Sequence, residues 1–271
     1  MSAIVGIFMN NIFLFKLILS FFIGGGWAIG TTIMAEKYGT KIGGLLAGFP
    51  STTLIALFFI GWTQSAHAAS QAAVMTPVVC GVNAFFVLIY IGLVKYKFSF
   101  AILGSISWWL FSAIILFYLK FNNYYLSIFL YILLLFTVLF IIKKKFATKA
   151  VINKKIKYTI GIVLFRGLIS GSIISLAIIL NKIGGPILGG IFSTFPAMFL
   201  STMIITYRSS GANFSAAIMK SGIVGAITTV IYSGFVYYCY SYGIITGTVI
   251  GIVGSFISGL VVYKFVLKKS S

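Results

Sequence analysis

The chain has 271 residues, of which 61% are hydrophobic and 8% charged, and its mean hydropathy is +1.14. Soluble domains carry roughly 45–50% apolar and about 25% charged residues, so a fold solvated mainly by water is excluded. A formal net charge of +19 would point to nucleic acid in a soluble chain. Here the lysines sit in short loops beside apolar stretches, where they set topology and meet lipid headgroups, so no nucleic-acid partner is expected.

Apolar stretches of about 20 residues, each enough for a helix to cross about 30 Å of hydrocarbon, recur along the chain. They predict spans at 12–35, 42–62, 71–94, 99–119, 124–142, 158–180, 183–206, 215–239 and 243–265. The stretches are apolar on every face rather than alternating, which excludes a β-barrel and predicts an all-α polytopic membrane protein of about nine transmembrane helices. The first apolar run has no basic segment before it, so a cleaved signal peptide is not expected. Placing the lysine-rich stretch 143–157 in the cytoplasm puts fifteen of the twenty Lys and Arg residues on that side, with only Lys120 and Lys182 opposite. The N-terminus is then outside and the C-terminus cytoplasmic, with the cell inner membrane as the expected location.

An internal repeat runs through the spans. Lys41-Ile42-Gly43-Gly44 recurs as Lys182-Ile183-Gly184-Gly185, Phe49-Pro50 as Phe195-Pro196, and Ala72-Ala73-Val74-Met75 as Ala216-Ala217-Ile218-Met219; Gly81 corresponds to Gly225. The expected organisation is a first four-helix repeat (1–119), a connector helix with the lysine-rich loop (120–157) and a second four-helix repeat (158–271). A single connecting helix inverts the second copy, as in many secondary transporters.

The candidate chemistry lies where the repeat interrupts its helices. Pro50 and Pro196 fall deep in the bilayer, and each removes a backbone donor in a glycine-rich stretch. Ser51, Thr52 and Thr53, and in the second half Ser193 and Thr194, stand beside them to satisfy the freed backbone groups. Two discontinuous helices meeting at the midplane would form a substrate site; kinks with tight small-residue packing would explain the same residues without one. Arg166 lies nine residues beyond Lys157, about 13 Å into its helix. A guanidinium at that depth costs at least roughly 2.5–3.5 kcal/mol unless it faces a polar interior. The chain's only carboxylate is Glu36, at the cytoplasmic edge, so Arg166 is left to carbonyls, hydroxyls, water or an anion.

Lys16 and Lys220 lie near span ends and can snorkel to the headgroups. His67 has no second metal ligand near it, and Cys80 and Cys239 lack CxxC spacing, so neither a metal nor a cofactor is expected. The absence of intramembrane Asp or Glu disfavours cation antiport. No P-loop, nucleophile–base set or paired carboxylate supports an enzyme.

Ala47-Gly48, Phe49-Pro50 and Leu54-Ile55-Ala56 in the second span, with Gly104-Ser105, Trp109 and Ser112-Ala113 in the fourth, resemble the GlpM-like family of small four-helix membrane proteins. The resemblance covers the first unit and implies a doubled, fused version of it; it implies no biochemical activity. The residues themselves lead to a small secondary transporter or flippase-like carrier for an anionic solute or lipid headgroup. The alternative is a non-transporting scaffold or assembly factor whose lysine loop binds anionic lipid or a partner protein. Membrane lipids are partners in both cases, and the sequence does not set the oligomeric state.

Overall fold

The computed structural model describes residues 11–38, 49–146 and 159–264, and all regular structure among them is helical. The helices are α1 (Asn11–Tyr38), α2 (Ser51–Thr63), α3 (Ala66–Ala73), α4 (Thr76–Leu93), α5 (Phe98–Tyr118) and α6 (Tyr124–Lys145). They continue as α7 (Ile160–Ser193), α8 (Ala197–Gly225), α9 (Ile227–Cys239) and α10 (Ile244–Val262), with a 3₁₀ turn at Tyr240–Tyr242. Lys41, Gly43, Gly44, Ala47, Gly48, the lysines of 149–157, Lys268, Lys269 and the side chain of Glu36 lie outside the described residues.

Hydrocarbon offers no partner to a backbone amide, so each apolar stretch must satisfy its own N–H and C=O groups, and helix is the form that does so. Six stretches are long and apolar enough to cross a membrane; one of them, Ile160–Tyr242, is an interrupted run of 83 residues. The surfaces agree with a lipid solvent. Phe100, Leu103, Phe111 and Ile114 on α5 and Phe129, Leu133, Phe136 and Phe140 on α6 all point outward. Exposed apolar area on that scale is foreign to soluble monomers. The chain is a multi-pass helical membrane protein.

The nine spans expected from hydropathy are not nine continuous helices. In 42–62 the described helix begins only at Ser51, and in 71–94 a turn at Val74–Met75 separates α3 from α4. Pro77 explains that turn, because it lacks the N–H that would bond the Ala73 carbonyl. Expected span 158–180 is continuous helix from Ile160, and span 183–206 is broken at Gly185 (φ 82°, ψ 179°), just before Pro186, and again between Ser193 and Ala197. Span 215–239 is interrupted at Ala226, and Gly211 (φ 81°, ψ −177°) divides α8 ahead of it. Single-residue breaks of this kind vanish in a window-averaged hydropathy.

Burial separates centre from periphery. In α4, 72% of the best membrane-spanning window is buried, against 22% in α6 and 28% in α1, α5 and α10. One core cluster gathers around α4, with side chains from α5, α6 and α8; a second joins α2, α3, α7 and α9. The 146-residue offset between Pro50 and Pro196 also relates the buried faces. Ser20, Gly24, Gly25, Ala28 and Thr31 of α1 match Arg166, Ser170, Gly171, Ile174 and Ala177 of α7, all buried. Ala101, Ser105, Trp109 and Leu116 of α5 match Gly247, Gly251, Ser255 and Val262 of α10, again all buried.

Helices α1 and α7 meet through backbone. A Cβ added to Gly171 would stand 2.6 Å from the Phe21 carbonyl oxygen, and one added to Gly25 would stand 2.9 Å from that of Gly167. Advancing along α1 from 21 to 25 retreats along α7 from 171 to 167, so the two helices cross antiparallel. Small residues spaced by four permit this approach, the usual basis of tight packing where lipid removes the hydrophobic drive between helices.

Candidate functional site

The two Phe-Pro pairs start two helices in the same way. Proline disfavours helical geometry in the residue before it, so a helix cannot run through Phe49 or Phe195, and each proline becomes the cap of a new one. Pro50 (φ −69°, ψ 37°) precedes α2 and Pro196 (φ −77°, ψ 47°) precedes α8. The hydrogen bonds also match. Ser51 N–H donates to the Phe49 carbonyl at 2.6 Å and Ala197 N–H to that of Phe195 at 2.8 Å; Leu54 donates to Pro50 at 2.7 Å and Leu200 to Pro196 at 2.8 Å. First-turn amides have no acceptor within their own helix, and each N-terminus carries about half a positive charge.

Both N-termini open on one cavity of about 30 Å³, room for one or two water molecules. Thr52 and Thr53 of α2, Asn83 of α4, Thr194 after α7 and Thr229 of α9 give it polar wall; Phe49, Phe195 and Phe199 close it with aromatic surface. The helices on either side are those that the repeat relates, since Gly81 and Gly225 lie beside the lining residues Cys80 and Ala226.

Carbonyls freed at the end of α7 are bonded from the other half of the chain. Thr53 Oγ1 donates to the Ser193 carbonyl at 3.0 Å, and Asn83 Nδ2 to the Thr194 carbonyl at 2.8 Å. Ser193 Oγ donates back to the Gly190 carbonyl at 2.9 Å, and Thr194 Oγ1 lies 3.3 Å from Thr76 Oγ1. Two buried oxygens, Ser51 Oγ and Asn83 Oδ1, have no hydrogen-bond partner among the described residues.

Of the residues singled out in the sequence, Thr52, Thr53, Thr194 and Pro196 line this cavity. Pro50, Ser51 and Ser193 flank it without forming its wall. Arg166 is 2% exposed, and its Nη2 donates to Thr202 Oγ1 of α8 at 2.7 Å. One turn along α7, Ser170 Oγ lies 4.0 Å from the sulfur of Met198, which is itself a lining residue. The guanidinium therefore stands one helical turn from the cavity rather than in it, held by a hydroxyl as its type requires in a protein interior.

Sequence reasoning passed over Asn83, Thr76 and Thr229. Asn83 carried a legible signal, as an amide inside the apolar run Val78–Tyr90, where an unsatisfied polar group is costly. Thr76 and Thr229 carried none, because threonine is common in membrane helices. Lys16 donates to the Trp62 carbonyl at 2.8 Å and sits 4.7 Å above that ring, Lys182 sits 3.8 Å above the ring of Phe13, and Lys220 donates to the Phe146 carbonyl. These lysines serve helix ends. His67 is exposed, and the described residues contain no group of three His, Cys, Asp or Glu side chains able to hold a metal.

The repeat is also visible to a family model. DUF3147, described as a protein of unknown function, matches residues 17–122 and again residues 163–268. The chain belongs to this family. It carries the DUF3147 unit twice, and the second match starts 146 residues after the first, the same offset that relates the two proline caps and the buried faces. No curated protein and no solved structure matches it.

Proposed function

We propose that this double DUF3147 protein is a membrane carrier for an anionic solute or lipid headgroup, built from two units inserted with opposite orientation. The observation that carries the proposal is the convergence of two helix N-termini on one small cavity with a partly polar wall. Their dipoles and first-turn N–H groups favour negative charge, as at other anion-binding helix starts. Arg166, one turn away, adds a full positive charge to an interior whose sequence supplies a single carboxylate. Charge so placed acts at long range, because little water is present to screen it.

The inverted arrangement is supported by the antiparallel crossing of α1 and α7. Under the 146-residue offset Phe21 corresponds to Gly167 and Gly25 to Gly171, so the Phe21–Gly171 and Gly25–Gly167 contacts exchange with each other. A two-fold axis perpendicular to both helices makes that exchange, and in a bilayer such an axis lies in the membrane plane. Repeats so related let one half rock against the other around a fixed site. The loop charges support an orientation with the N-terminus outside and the C-terminus on the cytoplasmic side, which fits the inner membrane as the location. The likeness to the GlpM-like family rests on its short motifs alone, and nothing in the proposal depends on it.

Native mass spectrometry of the purified protein against anionic lipids and small phosphate or carboxylate solutes tests the proposal. A selectively bound anion that is lost in Arg166→Ala supports the carrier. Equal, nonselective lipid adducts in both forms would refute it in favour of a lipid-binding scaffold.

A further inference from the structure

A groove of about 490 Å³ opens on the lipid-facing surface where α2 ends and α10 begins. Trp62, Phe58 one turn deeper along α2, and Gly243, Ile244, Ile245 and Thr246 line it, so its wall is almost wholly apolar and aromatic. The size is that of a ligand pocket, roughly 300–1,000 Å³, but the lining lacks the convergent polar groups that hold a soluble ligand in place. Trp62 and Tyr242 are exposed at this end, and amphipathic rings of this kind collect at the depth of the lipid headgroups. The groove therefore runs from headgroup level towards the hydrocarbon.

A positive charge is fixed at its rim. Lys16 Nζ lies 4.7 Å above the Trp62 ring and donates to the Trp62 carbonyl at 2.8 Å, which occupies one of the three donors of an ammonium. Lys182 Nζ lies 3.8 Å above the ring of Phe13. Phe13 is three residues before Lys16 and shares its face of α1, so a second ammonium stands at the same end. The chain's only acidic side chain belongs to Glu36, twenty residues farther along α1 and about 30 Å away. The protein brings cations to this end and no acidic side chain to balance them.

We infer that the groove seats an acyl chain of one anionic phospholipid, whose phosphate meets Lys16. The apolar wall and the cation select together. A soluble anion would leave the groove unfilled, and a zwitterionic lipid brings a cation of its own that competes with Lys16 for the phosphate. The seat lies at the opposite end of α2 from the cavity lined by Thr52 and Thr53, and it does not depend on the carrier reading.

Trp62 reports the occupant directly, because bromine on an acyl chain quenches tryptophan fluorescence only at short range. The full-length protein would be reconstituted in phosphatidylcholine vesicles carrying a fixed fraction of brominated-chain phosphatidylglycerol or, in parallel, of brominated-chain phosphatidylcholine. The quenching that disappears in Trp62→Phe is the share of the groove. That share should favour phosphatidylglycerol about fivefold or more, the worth of one lysine beside an anionic headgroup. Lys16→Gln should lower the preference about fivefold, and Lys16→Arg should keep it. Lys97, whose Nζ sits 4.9 Å over the Phe100 ring, controls for charge alone, and Lys97→Gln should leave the preference unchanged. Arg166→Ala should leave it unchanged too, whatever it does to the central site. Equal quenching by the two lipids in the wild type would overturn the inference without recourse to any lysine variant. So would a preference that survives Lys16→Gln, or one that is lost equally in Lys97→Gln or Arg166→Ala.

Discussion

The two halves of the chain bury the same positions and fill them differently. Ser20 in α1 stands where α7 has Arg166, Thr52 and Thr53 in α2 where α8 has Met198 and Phe199, and Trp109 in α5 where α10 has Ser255. The matched set comprises buried positions, close glycines and proline caps, which decide how helices start and pack. The unmatched set comprises polarity and bulk around the cavity. Shared geometry thus sets the fold, and the differences give the site its character: Thr52 and Thr53 line it from the start of α2, Met198 and Phe199 from the start of α8, and the second half alone adds a cation one turn away.

Trp109 and Ser255 test this comparison with the largest contrast. Trp109 is buried and meets Phe192 and Phe195 edge-to-face at 5.4 and 4.7 Å, closing the core beside the cavity. Trp109→Ala is expected to cost about 3–5 kcal/mol, read as thermal unfolding in detergent. The glycine crossing comes next. Gly25→Leu and Gly171→Leu each press a side chain against backbone and should cost about 1–3 kcal/mol, and equal losses would show that the halves carry the crossing equally. Ser255 donates to the Thr228 carbonyl at 3.1 Å, so Ser255→Ala should cost only about 0.6–1.7 kcal/mol, the range for hydrogen bonds between membrane helices. Gly26 is exposed and has no atom within 4 Å of an added Cβ. Gly26→Leu should therefore change stability by less than about 0.5 kcal/mol. A loss at Gly26 as large as at Gly25 would break the account of the crossing.

Much of the fold was legible because membrane helices announce themselves by length and apolarity, and because glycine and proline matches survive in a repeat whose other residues have drifted. That the prolines at 50 and 196 disrupt their helices followed from proline chemistry; that new helices start at Ser51 and Ala197 came from the structure. The break at Gly185 and the divided α8 did not, since only a positive φ at a single glycine marks each of them. At the site, threonine and serine beside the prolines could be named in advance because freed carbonyls need donors. Which carbonyl each would reach was not readable. Thr53 to Ser193 and Asn83 to Thr194 join residues more than a hundred positions apart, and no local pattern encodes such pairs. Arg166 was recognised by its cost in hydrocarbon. Its partner Thr202 was not, because one threonine among many carries no distinguishing mark.

The orientation of the two halves is the claim on which the carrier depends, and side-specific labelling tests it without knowledge of the substrate. His67 lies in the first turn of α3, just past the turn that follows α2, and Ser209 lies beside the break at Gly211; both are exposed. With Cys80→Ala and Cys239→Ser as background, single cysteines His67→Cys and Ser209→Cys would be challenged in sealed vesicles with a membrane-impermeant maleimide. Opposed halves predict labelling of the two positions from opposite faces of the membrane. Labelling of both from the same face would contradict the inverted repeat, and with it the central site between its halves.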